Sequence, residues 1–219
     1  MTSRVVQTNA VMPPVLALCA ILLMLIILLP IGSWIFPNAD LAAQLGREGI
    51  FWACAIAVIG FVALVERRPL ASIGVKPPRW MSLILGIGAA AVVVAGMALI
   101  YLVLFPALKL SDAGQTASIL STPVWFRIGL ITRAAVFEEL FFRGFMIERL
   151  NDITRLRWLA ASISLVAFTI AHLSGWGWAH LIVAGFGGIV LTGLYLWRGD
   201  LWTNIIAHFV TDAIGFLLG

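Results

Sequence analysis

Residues 80–105 read WMSLILGIGAAAVVVAGMALIYLVLF, and this stretch contains no charged side chain. An α-helix needs about 20 apolar residues to cross the hydrocarbon core of a bilayer. The stretch therefore predicts a membrane-spanning helix. The rest of the chain is similar in composition, because 62% of its 219 residues are hydrophobic and only 11% are charged. Soluble domains carry roughly a quarter charged residues, so the bilayer is the solvent that this composition fits.

The same length criterion identifies about seven candidate spans, and we predict an all-α, polytopic transmembrane helical bundle. The predicted spans cover residues 12–36, 50–65, 80–105, 123–147, 157–173, 178–197 and 200–218. A further short span or interfacial helix within 106–122 would make eight. We interpret the first stretch as an uncleaved span, because it is long for a signal peptide and no clear cleavage site follows it.

Lys and Arg residues are distributed unevenly between the loops. The loops after the second and fourth predicted spans hold seven of the fourteen: Arg67, Arg68, Lys76, Arg79, Arg149, Arg155 and Arg157. Arg4 precedes the first span and Arg198 follows the sixth, whereas the opposite loops hold only Arg47 and Lys109. Loops rich in Lys and Arg stay in the cytoplasm. We therefore expect the N-terminus inside, in the cytoplasmic membrane of a prokaryote.

Composition also bears on binding partners. The net charge of +4 is modest, and the basic residues do not form one soluble face, so we expect no nucleic acid partner. We expect membrane lipid as a partner instead. The two cysteines, Cys19 and Cys54, lie inside apolar runs and are interpreted as small hydrophobic residues rather than a disulfide or zinc pair.

The fourth predicted span contains RAAVFEELFFRGFM, residues 133–146, with two adjacent carboxylates. A charge in the middle of a membrane costs about 2.5–3.5 kcal/mol on insertion scales, so charges there are usually functional. Glu139 and Arg143 are four residues apart and share a helix face, which favours an ion pair. Glu138 points elsewhere on the helix. It therefore remains available as a general base.

Two later spans also carry polar residues at helical spacing. Phe168 and His172 are four residues apart, so the phenyl ring can lie against the imidazole. Asn204, His208 and Asp212 form one polar stripe on an otherwise apolar helix. From the rise of a helix, Glu138, His172 and His208 lie at similar depths. We expect these groups to converge in one cavity, which needs a cleft open to the cytoplasm.

Three motifs now stand in order: Glu138-Glu139-x-x-x-Arg143, Phe168-x-x-x-His172 and His208-x-x-x-Asp212. Together they resemble the motifs of the CAAX-protease and bacteriocin-processing (CPBP, or Abi) family of intramembrane proteases. The resemblance covers about residues 65–219 and includes the basic loop LASIGVKPPR. We accordingly divide the chain into an N-terminal part without motifs, residues 1–64, and a protease core, residues 65–219.

The resemblance implies an intramembrane endopeptidase that hydrolyses a peptide bond of a membrane-associated protein or peptide, with a prenylated CAAX-type protein as one candidate. Carried over by position, Glu138 would act on a water with help from His172, while His208 and Asp212 would stabilise the oxyanion or hold a metal. The supporting residues would be Glu139, Arg143, Phe168 and Asn204.

Metal dependence stays open at this point. The family is usually called a metalloprotease, and a mechanism that uses glutamate without metal is also argued for it. The chain lacks the His-Glu-x-x-His pattern. Glu138, His172 and His208 would nevertheless supply three ligands to a divalent metal such as zinc. An ionised Asp212 beside His208 would repel an oxyanion, which favours metal ligation or a protonated Asp212.

Other interpretations of the same residues also stay open. The chain could be a non-catalytic immunity or scaffold protein with this fold, since motifs do not establish activity. It could be a proton-coupled transporter with Glu138, Glu139 and His172 as a relay. We expect His180 to lie at the interface near the outer mouth of the sixth span, and Arg133 to anchor the outer end of the fourth span or to pair locally. The glycines of the sixth span predict close packing or, as a second interpretation, a substrate groove.

Overall fold

The computed structural model describes residues 14–28, 40–111 and 115–218, and this part of the chain is helical without any strand. The predicted all-α bundle is confirmed. The helices are α1 (Pro14–Leu28), α2 (Leu41–Gly60), α3 (Trp80–Leu99), α4 (Gln115–Leu120), α5 (Val124–Glu138), α6 (Arg157–Ala171), α7 (His180–Arg198) and α8 (Leu201–Leu217).

Three of these helices continue beyond their regular α-helical part, and their labels include the continuations below. Helix α2 runs on through a π-helical turn, Phe61–Val65. Helix α3 continues through Ile100–Leu104 and Phe105–Leu108. Helix α5 continues through the π-helical segment Glu139–Met146 and then Ile147–Thr154. π-helical segments often occur at functional sites, and the one in α5 contains the second glutamate and the arginine of the first motif.

Four of the described helices are long and apolar enough to cross a membrane by length and composition. These are Leu41–Val65, Trp80–Leu108, Arg157–Trp176 and His180–Arg198. Two shorter apolar helices, Val15–Ile26 and Leu201–Leu217, correspond to the first and last predicted spans. Positions 12, 13 and 29–36 of the first predicted span lie outside the described residues. The remaining predicted span, in α5, carries the charged residues of the first motif.

Two boundaries differ from the sequence prediction. Helix α2 begins at Leu41 rather than near residue 50, because the Asp40 carboxylate caps it by accepting a hydrogen bond from the Ala43 amide. The prediction stopped short because Arg47 and Glu48 interrupt the apolar run. Within 106–122, α3 ends at Leu108 and α4 forms only a short helix of six residues, which is too short to cross a bilayer.

The packing of the last helices builds the site. Helix α8 packs along α3 and α5, while α7 packs against α6 and α3. Glycine permits the close approach of α5 to the loop that follows α2, because a Cβ at Gly144 would lie 2.6 Å from the Ile73 carbonyl oxygen. The polar residues of α5 are thereby surrounded by α6, α7 and α8.

Large apolar side chains cover much of the outside of the described helices. Leu64, Leu102 and Trp158 are each more than three-quarters exposed to their surroundings. A soluble protein rarely exposes apolar surface on this scale, whereas lipid is as apolar as leucine. This chain is an integral membrane protein.

Candidate active site

The two adjacent glutamates of α5 lie in different environments. Glu139 is fully buried and its Oε1 accepts hydrogen bonds from Arg143 Nη1 at 2.9 Å and His208 Nδ1 at 2.9 Å. Its Oε2 accepts a hydrogen bond from Asn204 Nδ2 at 3.1 Å. The carboxylate is therefore saturated with donors from two helices. We call Glu139, Arg143 and Asn204 the buried polar layer.

The arginine of this layer is also enclosed. The Arg143 guanidinium lies over the ring of Phe168, 4.1 Å from its centroid, a contact that a cation makes favourably with the face of an aromatic ring. The same arginine is only 1% exposed. The buried polar layer thus joins α5, α6 and α8 and leaves none of its charge facing a cavity.

Glu138, by contrast, has no short hydrogen bond to any side chain in the described part of the chain. Its nearest charged neighbours are Arg133 Nη1, 3.5 Å from Oε1, and His172 Nε2, 3.9 Å from Oε2. Its side chain is 16% exposed. A hydrogen bond between nitrogen and oxygen normally spans 2.7–3.2 Å, so Glu138 is held loosely and keeps acceptor positions for a further group.

One partner fixes the orientation of the His172 ring. His172 Nδ1 lies 2.8 Å from the carbonyl oxygen of Phe168. A carbonyl only accepts hydrogen bonds, so Nδ1 must carry the proton. Nε2 then points towards Glu138, and in the neutral imidazole it has a free lone pair. The ring also packs against the Phe168 ring at 4.6 Å between centroids, as the four-residue spacing predicts.

His208 lies between two carboxylates. Its Nδ1 bonds to Glu139, and its Nε2 lies 3.5 Å from Asp212 Oδ2 on the next turn of α8. The polar stripe predicted for this helix is therefore present. Asn204 belongs to the buried polar layer, His208 connects that layer to the cavity, and Asp212 extends the stripe towards the end of α8.

A cavity of about 450 Å³ joins the three motifs. Glu138, Phe168, His172, His208 and Asp212 all line it, together with apolar residues from α3 and α7. Within the described chain, Glu139, Arg143 and Asn204 lie behind the wall and do not line it. The structure thus brings every residue that the sequence proposes as catalytic to one cavity wall, and of the four supporting residues Phe168 alone joins them there in the described chain.

Sequence reasoning missed the role of Arg133. It predicted an anchor or a local pair, but Arg133 donates from Nε and Nη2 to Glu48 on α2, at 2.7 and 2.8 Å. This two-point ion pair leaves Nη1 directed at Glu138, and Arg133 lines the cavity. An arginine in a membrane helix is itself a signal of function. Its partner lies 85 residues away, which no local pattern reveals.

His180 is also placed differently from the prediction. It begins α7, as expected, but its side chain is buried and lines the cavity rather than an interface. Its ring stacks on Trp176 with centroids 4.3 Å apart. This stack encloses His180, and no sequence pattern indicates it because Trp176 ends one short helix and His180 begins the next.

The predicted metal ligands do not form a ligand set. The described residues contain no group of three or more His, Cys, Asp or Glu side chains arranged to hold a metal ion. His208 Nδ1 is occupied by its hydrogen bond to Glu139, and its Nε2 lies 3.5 Å from Asp212 Oδ2. This arrangement therefore does not fit the metal site that the motifs suggested.

Comparison with known families agrees with the motifs. The sequence model of a family described as type II CAAX prenyl endopeptidase, Rce1-like, matches residues 120–214. The resemblance to CAAX endopeptidases is confirmed. The matched segment contains all three motifs, from Glu138 to Asp212. No curated protein and no solved structure matches the chain.

Proposed function

We propose that this protein is an intramembrane endopeptidase that hydrolyses a peptide bond with a water activated by Glu138. The observation that supports the proposal most directly is the contrast between the two motif glutamates. One is saturated inside the protein, and the other faces a cavity with open acceptor positions. The family match supports the same activity, that of a CAAX-type protease with a membrane-associated protein or peptide as substrate.

The first step is activation of the water. A water in the 3.9 Å gap between Glu138 and His172 would be within reach of both side chains. Glu138 would accept one proton from the water as the oxygen attacks the scissile carbonyl carbon. His172 Nε2 would accept the second hydrogen as a hydrogen bond and so orient the attacking lone pair.

Attack places a negative charge on the carbonyl oxygen, which needs donors fixed in advance. Arg133 Nη1 and a protonated Asp212 beside His208 line the same cavity and are the candidate donors. The proton held by Glu138 would then pass to the leaving amine as the C–N bond breaks. The products are a carboxylic acid and an amine, and Glu138 is restored. No step uses a metal, since the donor set does not fit one.

We also propose the orientation that the basic loops predict, with the N-terminus inside the cytoplasmic membrane of a prokaryote. A prenylated CAAX-type protein is one candidate substrate, because the family match names that activity.

A cleavage assay tests the proposal. Protein purified in detergent would be mixed with a prenylated CAAX peptide and with a panel of transmembrane peptides. Glu138→Gln keeps the side-chain shape but removes the base, so we expect cleavage to fall about 10²–10⁴-fold. Asp152→Asn is the matched control, because it removes a carboxylate from an exposed ion pair with Arg68, and such pairs contribute little.

The other outcomes separate the alternatives. Unchanged cleavage by Glu138→Gln would reject Glu138 as the base. Loss of cleavage on adding a chelator would show that a metal is required and that the ligand geometry differs from the one described. Absence of cleavage for every peptide would favour a non-catalytic immunity or scaffold role, and proton flux in liposomes would then identify a transporter.

A further inference from the structure

A second cavity of about 580 Å³ contains three cationic side chains, Lys76, Arg157 and Arg198, and we call it the basic pocket. The loop before α3, the last part of α5, the first residue of α6 and the end of α7 form its wall. None of the residues in this wall lines the catalytic cavity. The basic pocket is therefore a separate site from the one that contains Glu138 and His172.

One carboxylate lies among the three cations of the basic pocket. Glu148 Oε1 accepts a hydrogen bond from the Tyr195 hydroxyl at 3.0 Å, and it lies 3.5 Å from Arg157 Nη2. Arg157 therefore balances the charge of Glu148. The pocket retains the two positive charges of Lys76 and Arg198, an excess that a bound anion would neutralise.

The side chains of Lys76 and Arg198 form no ion pair with any carboxylate in the part of the chain that the structure describes. The Arg198 Nε is buried and lacks a hydrogen-bond partner there, although a buried polar atom normally has one. A Cβ at Gly199 would lie 3.4 Å from Lys76 Nζ, so the ammonium lies directly beside the residue that follows Arg198. The two unpaired cations thus occupy the same part of the pocket wall, where a single ligand could contact both.

The basic pocket lies where membrane-spanning helices end. Helix α6 begins at Arg157 and α7 ends at Arg198, and both helices are long and apolar enough to cross a bilayer. Trp158 and Trp197, the chain neighbours of these two arginines, are 77% and 67% exposed. Tryptophan is enriched at the depth of the lipid headgroups on both sides of a membrane. The pocket therefore lies at headgroup depth, whichever side of the membrane it faces.

We propose that the basic pocket binds the phosphate group of an anionic phospholipid, with Lys76 and Arg198 as its two cationic contacts. Hydrogen bonds from ammonium and guanidinium groups to phosphate oxygens are roughly twice as strong as neutral ones. Basic pockets between membrane helices bind acidic lipid headgroups through such contacts. A free phosphate ion shares this chemistry, but the exposed rings of Trp158 and Trp197 favour a ligand whose acyl chains continue into the bilayer. The proposal does not depend on protease activity.

Native mass spectrometry of the whole protein in detergent tests the proposal, because it resolves the binding of single lipid molecules. The protein would be titrated with phosphatidylglycerol, which is anionic, and with phosphatidylcholine of the same acyl chains, which is not. Each Lys or Arg near an anionic headgroup strengthens binding about fivefold, so two cations predict a preference of roughly 30-fold for phosphatidylglycerol. Equal affinity of the protein for the two lipids would overturn the proposal.

Paired substitutions locate the binding site. Lys76→Gln with Arg198→Gln removes both cations, so we expect the preference for phosphatidylglycerol to disappear. Arg79→Gln with Arg155→Gln is the matched control, because it removes two charges from exposed residues that do not line the pocket, and the preference should remain. A preference that survives in the pocket pair, or that is lost equally in both pairs, would overturn the site. Lys76→Arg with Arg198→Lys keeps both charges and should keep the preference, and its loss there would also overturn the proposal.

A second arm with inorganic phosphate distinguishes the two sources of the same chemistry. We expect phosphatidylglycerol to stay bound when millimolar phosphate is added, because the ion lacks the acyl chains that hold a lipid beside the pocket. Complete displacement of the lipid by millimolar phosphate would assign the pocket to the free ion and overturn the lipid assignment. Both arms measure binding alone, so their outcome is separate from that of the cleavage assay.

Discussion

Two carboxylates that are adjacent in the sequence have opposite surroundings in this protein. Glu139 is fully buried and bonded to Arg143, His208 and Asn204. Glu138 faces a cavity, and its nearest charged partners lie at 3.5 and 3.9 Å. The comparison separates two uses of a membrane-embedded charge. A saturated carboxylate holds helices together, whereas a carboxylate with open acceptor positions can bind and polarise a further molecule.

The difference originates in the helix itself. Successive residues of a helix differ by about 100° in direction, so the side chains of Glu138 and Glu139 leave α5 towards different neighbours. Arg143 is on the face of Glu139, while Arg133 and His172 are near Glu138. Helical geometry and the helices around α5 therefore place Glu139 among structural partners and Glu138 at the cavity.

The largest effect is expected from a substitution that disrupts the buried polar layer. Glu139→Ala leaves the Arg143 charge buried without its carboxylate, and loss of one partner of a buried pair costs about 3–5 kcal/mol. We expect a marked fall in the thermal unfolding temperature of the protein in detergent. Glu138→Ala is the matched control and should leave unfolding nearly unchanged. Equal destabilisation by both variants would contradict the separation of roles.

A smaller effect is expected where α7 packs against α6 in the wall of the cavity. A Cβ at Gly188 would lie 2.7 Å from Leu165 Cδ1 and 3.1 Å from Phe168 Cδ1. Overpacking of this kind costs about 1–3 kcal/mol, so Gly188→Ala should unfold at lower temperature and should shift Phe168 away from Arg143.

Gly193 on the same helix provides the control for this variant, because a Cβ there meets nothing within 4 Å. Gly193→Ala should be neutral or slightly stabilising, since alanine favours helix by about 1 kcal/mol over glycine. Similar unfolding temperatures for the two variants would show that the contact at Gly188 relaxes freely.

The smallest effect is expected from Glu48, which holds Arg133 in place beside Glu138. Glu48→Gln weakens the two-point ion pair that holds Arg133, so the guanidinium can turn and pair with Glu138. Arg133 would then take up acceptor positions of Glu138 that the attacking water needs. We expect kcat to fall about tenfold, which corresponds to ~1.4 kcal/mol in the barrier, with KM little changed. Steady-state kinetics on a cleaved peptide would measure both constants.

Asp40→Asn is a suitable control for Glu48→Gln, because it removes a carboxylate from the start of the same helix while asparagine still caps it well. An equal change in kcat for both variants would mean that α2 affects the reaction through its stability. No change in either would mean that Glu48 does not position Arg133 for catalysis.

Much of the candidate site could be predicted from the sequence, because its motifs depend on helical spacing. The pair of Glu139 with Arg143, the contact of Phe168 with His172 and the stripe ending at Asp212 all join residues four apart. Such contacts form within one helix, and the backbone alone places them. The catalytic roles, and the division of the chain at residue 65, remain predictions.

The boundaries of the second span and the metal ligands were harder to predict. Helix α2 extends back to its cap at Asp40, and Glu48 is tolerated inside it because Glu48 pairs with Arg133 on another helix. The sequence suggested Glu138, His172 and His208 as metal ligands, but Glu139 on another helix bonds to Nδ1 of His208. Both differences come from pairings between separate helices.

By itself the sequence determined the apolar helices, the charge difference between loops and the faces of α5, since each follows from composition or from a period of 3.6 residues. The tertiary structure alone decided that Glu48 holds Arg133 and that His180 is enclosed with Trp176. The physical reason is that these features are contacts between helices, and their geometry depends on packing across the whole bundle rather than on any local pattern.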